Sequence, residues 1–338
     1  TPSAHEQGEP SKAVINSIYQ LYEKKLFHDV ISKAQEYIVK YPKSAKLLNF
    51  LGSAYSKLGK NDDALNSFQR AITSDPNFAE SYCNMGNLYL ENGKIDQAVQ
   101  LYEKAYKIKP GFAEAYFNQG NAHFELKNYN KAVEYYKEAI ERNESFYQAY
   151  FNLGNTNNII HKYFSAIGDY KKSLELYPDQ PETLNNLANC LKAVNFYDEA
   201  KDRYLDLLDK YPTYLEGHVN LGNLYSDVGA VSEALASYQR ALELDPKNCL
   251  VHRHISTAKR YSATKDAHLV QMLSLYNDKT LSIKSRSDLC FGLFKAYEDL
   301  EQFELAIKFL HEGNETRKLI LSYNISKDET YLSEARSA

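Results

Sequence analysis

The sequence contains no tryptophan, and only four of its 338 residues are cysteine. Cys83, Cys190, Cys249 and Cys290 lie far apart and form no CxxC pair. This spacing argues against a zinc site or a disulfide framework, and it fits a reducing compartment. The aromatic part of a folded core must therefore come from the 29 tyrosines and 15 phenylalanines.

A large net charge and long apolar runs are also missing. The formal net charge is −4 at pH 7, so no strong field favours DNA, RNA or an anionic membrane. No apolar run reaches the roughly 20 residues of a membrane-spanning helix, and no signal-like segment opens the chain. The sequence therefore predicts a soluble, cytoplasmic protein that neither binds nucleic acid nor inserts into a membrane.

The usual motifs of enzymes are absent as well. The sequence contains no GxxxxGK[ST], no GxGxxG after a strand, no HExxH and no GxSxG. His252 and His254 stand two residues apart on a predicted helix, so they point in different directions and suit a shared metal poorly. We expect a non-catalytic protein with neither a metal site nor a cofactor.

A short phrase recurs every 34 residues along the chain. It reads Tyr-Cys-Asn-Met-Gly-Asn at 82–87, Tyr-Phe-Asn-Gln-Gly-Asn at 116–121 and Tyr-Phe-Asn-Leu-Gly-Asn at 150–155, with weaker copies at 184–189 and 218–223. A fixed period in this range is typical of a repeat array. It divides residues 45–248 into six repeats of 34 residues, which begin at residues 45, 79, 113, 147, 181 and 215.

Four positions of the repeat suggest how it packs. Position 8 is glycine except for Ala188, position 20 is always alanine, position 24 is Phe68 and then tyrosine, and position 32 is proline except for Glu144. Small residues at positions 8 and 20 allow two antiparallel helices to approach closely. We expect the ring at position 24 to fill the gap between repeats and the proline to end the second helix.

These positions resemble the tetratricopeptide repeat in six consecutive copies. The resemblance implies an all-α fold, an α-solenoid of antiparallel helix pairs stacked in a right-handed superhelix. The first helix of each pair, helix A, would line a concave groove. The resemblance also implies a scaffold for protein–protein interactions.

The ends of the chain depart from the repeat. Residues 1–10 are small and polar and predict a disordered tail, and residues 11–44 predict a divergent helical pair. Residues 249–286 are interpreted as a degenerate repeat with an insertion, irregular from residue 258. Residues 287–338 predict a repeat-like unit and a capping helix.

Several phrases near the C-terminus resemble one subgroup of repeat proteins. They are Val251–Ile255, Lys295–Leu300, Glu312–Lys318 and Tyr323–Ser326. The subgroup is the repeat-containing N-terminal half of bacterial proteins that continue into a sulfotransferase domain, so the resemblance implies the substrate-recognition half of a sulfotransferase. The Gly-x-Pro-Arg-Ser-Gly-Thr-like loop that binds the sulfate donor in such domains is absent from the sequence.

Asparagine occupies positions 6 and 9 of helix A in five of the six repeats. These positions share one helix face, roughly 180° from the apolar stripe of positions 4, 7, 8 and 11. We therefore expect the asparagines to face the groove. They are Asn84, Asn87, Asn118, Asn121, Asn152, Asn155, Asn186, Asn189, Asn220 and Asn223.

Ten asparagines require an explanation, since each costs on the order of 0.5 kcal/mol of helix propensity relative to alanine. They could be inherited by duplication, or their amides could bond between repeats and stabilise the stack. Alternatively, each amide offers a donor and an acceptor to an extended peptide backbone. The superhelical repeats of O-linked N-acetylglucosamine transferases are similar and use groove asparagines in this way, and we favour peptide binding here.

Other groove residues would provide selectivity for the bound segment. Phe117, Phe124 and Phe151 are candidates for an apolar patch. Seven acids predict a groove that favours basic or neutral segments, although an ordinary solvated helix surface explains each acid equally well. These acids are Glu80, Glu91, Glu114, Glu125, Glu182, Glu216 and Asp227. The alternative function is an architectural solenoid that forms homo-oligomers while its groove stays empty.

Overall fold

A computed structural model describes residues 9–321 of the chain. Within that range all regular secondary structure is helical, in eighteen α-helices, which confirms the predicted all-α class. The chain divides into two compact units, an N-terminal unit that ends at Gln180 and a C-terminal unit that begins at Pro181. The predicted tail lies outside the described residues except for Glu9 and Pro10, and the predicted capping helix does so beyond Leu321.

The N-terminal unit is built from consecutive helix pairs. The first pair precedes the strict period, and each later pair is one 34-residue repeat. The helices are α1 (Lys12–Glu23), α2 (Phe27–Lys40), α3 (Ala45–Lys57), α4 (Asn61–Ser74), α5 (Ala79–Glu91), α6 (Ile95–Ile108), α7 (Ala113–Glu125), α8 (Tyr129–Arg142), α9 (Tyr147–Ile159) and α10 (Tyr163–Leu176).

The C-terminal unit begins with the last two regular repeats and continues with four helices that leave the period. The helices are α11 (Pro181–Ala193), α12 (Tyr197–Lys210), α13 (Leu215–Asp227), α14 (Val231–Leu244), α15 (Cys249–Ala258), α16 (Ala267–Tyr276), α17 (Ile283–Asp299) and α18 (Phe303–Leu321). Among the described residues, no helix has both the length and the apolar content needed to cross a membrane.

Helix α16 corrects the prediction that residues 258–286 are irregular. The Asp266 carboxylate caps this helix by accepting hydrogen bonds from the backbone N–H groups of His268 and Leu269, at 3.0 and 3.3 Å. Leu269 and Met272 are then buried in the same apolar cluster as Leu289 of α17. In the sequence, this helix is marked only by one capping aspartate before a ten-residue apolar pattern. That mark was too weak to predict a helix where the 34-residue period is lost.

The two helices of each repeat occupy fixed positions. Helix A covers positions 1–13 and the second helix, helix B, covers positions 17–30, as in Ala79–Glu91 and Ile95–Ile108. Position 15 lies in the turn between them with a left-handed backbone, a conformation that commonly ends a helix. Its φ angle lies between 58° and 76° in Gly59, Gly93, Lys127, His161, Asn195 and Gly229.

Helix B ends at position 30 whether or not proline follows at position 32. In the third repeat, which carries Glu144 there, α8 ends at Arg142, and the Asn143 side-chain oxygen accepts a hydrogen bond from the Ser145 N–H at 3.1 Å. Asp75 makes the same turn in the first repeat by accepting from the Asn77 N–H at 2.9 Å. The side chain at position 31 can therefore stop the helix without the proline.

The position-24 ring packs mainly against the glycine at position 8 of its own repeat. A Cβ atom built on Gly120 would lie 2.6 Å from Cε1 of Tyr136, and the other four glycines at position 8 would meet their ring at 2.4 to 2.7 Å. Tyr136 also shares an apolar cluster with Leu153 of the next repeat. The prediction that the ring fills the gap between repeats is thus incomplete, because the ring also occupies the space that a side chain at position 8 of its own repeat would need.

Candidate functional site

The position-9 asparagines accept a hydrogen bond from the position-24 tyrosine of the same repeat. The Tyr136 hydroxyl donates to Asn121 Oδ1 at 2.8 Å, and the other four bonds measure 2.6 to 2.8 Å. The pairs are Asn87–Tyr102, Asn121–Tyr136, Asn155–Tyr170, Asn189–Tyr204 and Asn223–Tyr238. The first repeat has Ser53 and Phe68 instead. Both partners of the bond are thus absent from the same repeat, and this joint change was the only mark of the bond in the sequence. The sequence analysis did not predict the bond.

Burial keeps four of these hydroxyl groups protonated. It raises the pKa of Tyr102, Tyr136 and Tyr204 far above that of free tyrosine, and that of Tyr238 to about 12. A neutral phenol donates its proton, so the asparagine must turn its oxygen towards the ring. The amide nitrogen of each position-9 asparagine therefore points away from its tyrosine.

Four of the five position-6 asparagines donate to the preceding repeat. Asn84 Nδ2 donates to Asn49 Oδ1 at 3.0 Å, and Asn152 Nδ2 donates to Asn121 Oδ1 at 2.8 Å. Asn118 and Asn220 do the same towards position 5 of the repeat before them, with Cys83 Sγ at 3.2 Å and Asn185 Oδ1 at 2.9 Å as the acceptors. The inter-repeat amide bonding that the sequence left open as an alternative is therefore present.

In eight of the ten asparagines these bonds leave one half of the amide without a partner among the described residues. At position 9, the Nδ2 group donates to no described residue in Asn87, Asn121, Asn189 and Asn223. At position 6, the Oδ1 atom accepts from no described residue in Asn84, Asn118, Asn152 and Asn220. All ten asparagines are partly exposed. We call this surface of helices A, considered separately in each compact unit, the asparagine face.

The asparagine face of the N-terminal unit contains a depression of about 540 Å³. Four predicted site residues line it, namely Asn121, Asn152, Asn155 and Phe124. The other lining residues are Leu90, Glu91, Gly93, Ile95, Glu125 and Tyr136. The structure thus brings the amides of the third and fourth repeats together with an apolar surface from the second and third.

Only one of the three predicted phenylalanines lies in this depression. Phe124 lines it, while the Phe117 ring packs on Phe146 and Tyr136 with centroid distances of 4.8 and 5.8 Å. Phe151 lies 6.3 Å from the Tyr170 ring. Phe117 and Phe151 are half-buried in these packing contacts, so they do not extend the apolar lining of the depression.

Two of the seven predicted acids are paired with lysine side chains. Glu80 is paired with Lys109 at 2.7 Å, and Asp227 is paired with Lys192 at 2.7 Å. Glu91 and Glu125 are exposed at the depression, and neither is paired with a basic group among the described residues. Glu114 of the N-terminal unit is likewise exposed and unpaired among the described residues but does not line the depression, so two of the three unpaired predicted acids of this unit lie at the depression.

A buried histidine chain in the C-terminal unit was not predicted. His252 Nε2 lies 3.0 Å from the Pro246 carbonyl oxygen, His252 Nδ1 lies 3.0 Å from His268 Nε2, and His268 Nδ1 lies 2.6 Å from the Tyr261 hydroxyl. A carbonyl only accepts, so the geometry requires neutral rings that each carry their proton on Nε2. His254 instead stacks on Tyr238 at 5.4 Å, so the two neighbouring histidines indeed point in different directions.

Burial also accounts for the four cysteines. All four are buried free thiols, and desolvation raises the pKa of Cys83 and Cys290 to about 12 and that of Cys190 and Cys249 to about 11. Such thiols are poor nucleophiles at neutral pH. Within residues 9–321, no group of three or more His, Cys, Asp or Glu side chains is placed to hold a metal ion.

Three family models match parts of the chain, and all three describe the tetratricopeptide repeat. A TPR repeat model matches residues 52–93, one tetratricopeptide repeat model matches residues 83–145 and 117–181, and another matches residues 215–248. No curated protein matches the chain.

Solved structures of repeat proteins resemble the chain at low sequence identity. YrrB, described as a TPR protein with an unusual peptide-binding site, is 22% identical with a TM-score of 0.51, over 56% of this chain and 97% of YrrB. The C-terminal part of a TPR repeat-containing protein from Cytophaga hutchinsonii is 19% identical with a TM-score of 0.57, over 71% and 99% of the two chains. A chain of the APC/C hetero-tetramer Cut9–Hcn1 is 18% identical with a TM-score of 0.57, over 74% of this chain and 49% of the other.

At these identities the structural likeness establishes the fold alone. Three observations agree on this fold: the residues matched by the family models, the helix pairs with their 34-residue period, and the structural neighbours. The chain therefore contains tetratricopeptide repeats, and its fold is that of an all-α tetratricopeptide-repeat solenoid.

Proposed function

We propose that this chain is a non-catalytic scaffold that binds an extended segment of another protein along its asparagine face. The observation that carries the proposal is the uniform orientation of the amides. In eight of the ten asparagines, internal bonds use the oxygen at position 9 and the nitrogen at position 6, which leaves donors at position 9 and acceptors at position 6. An extended peptide presents the matching carbonyl and N–H groups at every residue.

The uniform orientation also favours binding on energetic grounds. The Tyr–Asn bonds hold each position-9 amide in one orientation before a ligand arrives, so little side-chain entropy remains to be lost on binding. Because a peptide backbone is the same in every sequence, amides of this kind hold the segment without selecting its side chains. The peptide-binding site named for YrrB is consistent with such a role for this fold.

Two finer features belong to the same proposal. A reducing, cytoplasmic setting is supported by the four unpaired thiols. A role as the substrate-recognition half of a sulfotransferase is supported only by the C-terminal phrases of the sequence, and neither the family models nor the structural neighbours bear on it.

An architectural role is the second candidate, and the internal bonding of the amides favours it. Each Tyr–Asn bond and each inter-repeat bond stabilises the stack by about 1 kcal/mol, which by itself would offset the poor helix propensity of asparagine. In this case the face would bind nothing, and the chain would act through its self-association.

A matched pair of variants separates the two roles. The double variant Asn87→Ala/Asn121→Ala removes two amides from the face together with their bonds to the tyrosines. The double variant Tyr102→Phe/Tyr136→Phe removes the same two bonds and leaves the amides in place. Peptides are first selected on the wild-type chain from a displayed library of random 12-residue sequences, and their affinities for both variants are then measured by fluorescence anisotropy.

Peptide binding predicts that the selected peptides bind the asparagine variant at least about tenfold more weakly, since two backbone hydrogen bonds at about 1 kcal/mol each are lost. The tyrosine variant should stay within about threefold of wild type. If no peptide is enriched, or if both variants bind equally well, the proposal is wrong. Equal losses of unfolding free energy with unchanged binding would instead support the architectural role.

A further inference from the structure

The depression in the N-terminal unit combines an apolar lining with two unpaired carboxylates. Leu90, Ile95 and Phe124 supply apolar surface, and Glu91 and Glu125 lie beside them. Both carboxylates are exposed, and neither forms an ion pair with a described residue. A partner for this depression must therefore carry both apolar surface and positive charge.

The helix ends add to the negative potential. Glu91 is the last residue of α5, and Glu125 is the last residue of α7. The C-terminal end of a helix carries roughly half a unit of negative charge because its last carbonyl groups have no partner within the helix. Two such ends and two carboxylates thus converge on one volume of about 540 Å³.

This combination is local to the second and third repeats. Both glutamates occupy position 13 of their repeat, where the first repeat has Lys57 and the fourth has Ile159. Elsewhere on the asparagine face of the N-terminal unit, Glu80 is already neutralised by Lys109 at 2.7 Å. Glu114, the third unpaired predicted acid of this unit, does not line the depression, so the depression is where a cationic group meets two unpaired carboxylates together.

We propose that this depression binds a lysine or arginine side chain of the extended segment, an inference that rests on the proposed function and specifies the chemistry of the segment. The methylene groups lie on Leu90, Ile95 and Phe124, and the cationic head lies between Glu91 and Glu125. Lysine and arginine combine an apolar stem with a charged head, and either head is attracted to an aromatic ring such as that of Phe124. A glutamate side chain is repelled, and a leucine side chain leaves the carboxylates without a partner.

Peptide mixtures of defined charge test this inference on the full chain. Five mixtures of acetylated, amidated 12-residue peptides carry arginine, lysine, glutamine, leucine or glutamate at a fixed central position, with the same random uncharged residues elsewhere. We expect the arginine and lysine mixtures to compete at least about fivefold better than the glutamine mixture for a fluorescent peptide selected on the chain. The preference should shrink between 50 and 500 mM salt, since exposed carboxylates are screened.

Charge variants assign the preference to the depression. Glu91→Gln/Glu125→Gln should abolish the preference for basic peptides and leave binding of the glutamine mixture unchanged. The matched control is Glu103→Gln/Glu138→Gln, which makes the same change in net charge on helices α6 and α8, where both residues are paired within their own helix. This control should keep the preference, and Glu91→Lys/Glu125→Lys should turn it towards the glutamate mixture.

The outcomes separate this inference from the proposed function. Equal competition by the basic and glutamine mixtures, or loss of the preference in the control variant, overturns the assignment to Glu91 and Glu125 while backbone binding stands. Absence of any binding to the wild-type chain overturns the proposed function and this inference together. Unchanged circular dichroism of the variants shows that a lost preference does not reflect misfolding.

Discussion

Acidification from pH 7 to pH 5 should destabilise the C-terminal unit through His268. Its ring accepts a hydrogen bond from Tyr261 at Nδ1 and faces His252 Nδ1 through Nε2, with an N–N distance of 3.0 Å. Both nitrogens of a neutral His268 are thereby satisfied. Protonation of His268 would place a second N–H group against the Tyr261 hydroxyl, and protonation of His252 would place two N–H groups opposite each other.

The magnitude follows from the pKa of His268. Burial, with added repulsion from His252 and Lys259, lowers this pKa from the usual 6.5 to about 4. Between these two values the unfolded chain binds more protons than the folded chain, so the free energy of unfolding falls as the pH falls. A single group with these pKa values costs about 2 kcal/mol between pH 7 and pH 5, and about 3 kcal/mol by pH 4. The lowered pKa values of His252 and His254 act in the same direction.

The charged groups around the chain do not reverse this trend. Asp266 is paired with Lys259 at 2.7 Å, and its pKa lies below that of a free aspartate, so it stays ionised throughout the range from pH 7 to pH 5. Asp299 accepts a hydrogen bond from the Tyr261 backbone N–H at 3.2 Å. The loss of stability between pH 7 and pH 5 is therefore assigned to the histidines.

The variant His268→Gln isolates the contribution of this group, because a carboxamide also offers a donor group and an acceptor group and does not titrate in this range. Urea unfolding followed by circular dichroism at 222 nm gives the total effect. Hydrogen exchange of peptides from α15, α16 and α17 assigns the effect to the C-terminal unit. We expect the pH dependence of the variant to be smaller than that of wild type by about 2 kcal/mol between pH 7 and pH 5.

Two results would refute this reasoning. One is an identical pH dependence of unfolding in wild type and variant. The other is a His268 resonance that titrates above pH 6 in the folded protein, since such a group would bind its proton almost as readily as it does in the unfolded chain.

Three further substitutions test the packing of the repeats by urea unfolding. Asp169→Asn should stabilise the protein by about 3 kcal/mol at pH 7, because burial raises the pKa of this carboxyl group from 3.8 to about 6. The gain should fade towards pH 4, where the carboxyl group is neutral in the folded state. Lys127→Gly should stabilise it by about 0.5–1 kcal/mol by relieving a left-handed backbone with φ of 58°. Gly120→Ala should destabilise it by about 1–2 kcal/mol, since the new Cβ would lie 2.6 Å from the Tyr136 ring.

Each of these predictions has its own control. A gain from Asp169→Asn that does not change between pH 7 and pH 4 would contradict the burial argument. Gly93→Ala, at the equivalent left-handed position of the second repeat, should destabilise by about 1 kcal/mol, and stabilisation there would contradict the argument for Lys127. Unchanged or increased stability of Gly120→Ala would contradict the packing argument for position 8, because it would show that the Tyr136 ring leaves room for a Cβ atom.

Much of the fold could be predicted because the period records which residues must be small or apolar. Small residues such as Gly154 and Ala166 recur at positions 8 and 20 of the repeats because two helices must approach there, and the helix bounds follow from those positions. Helix α16 could not be predicted in this way, because it depends on one cap at Asp266 and on burial against α17, which no period marks.

The candidate site was only partly predictable for a related reason. The helical rotation of about 100° per residue places Asn118 and Asn121 on one face, but it says nothing about a partner on another helix. The bond between Tyr136 and Asn121 joins helices B and A across 15 residues, and only the paired change to Phe68 and Ser53 in the first repeat marks it in the sequence.

The central claim is that the amides of the asparagine face bind a peptide backbone. The most direct measurement is the response of the side-chain NH₂ resonances of Asn87 and Asn121 in ¹⁵N-labelled protein during titration with a selected 12-residue peptide. Backbone binding predicts that these resonances shift and become protected from solvent exchange, while that of Asn314 on α18 stays unchanged. A peptide that binds without shifting Asn87 or Asn121 would contradict the claim.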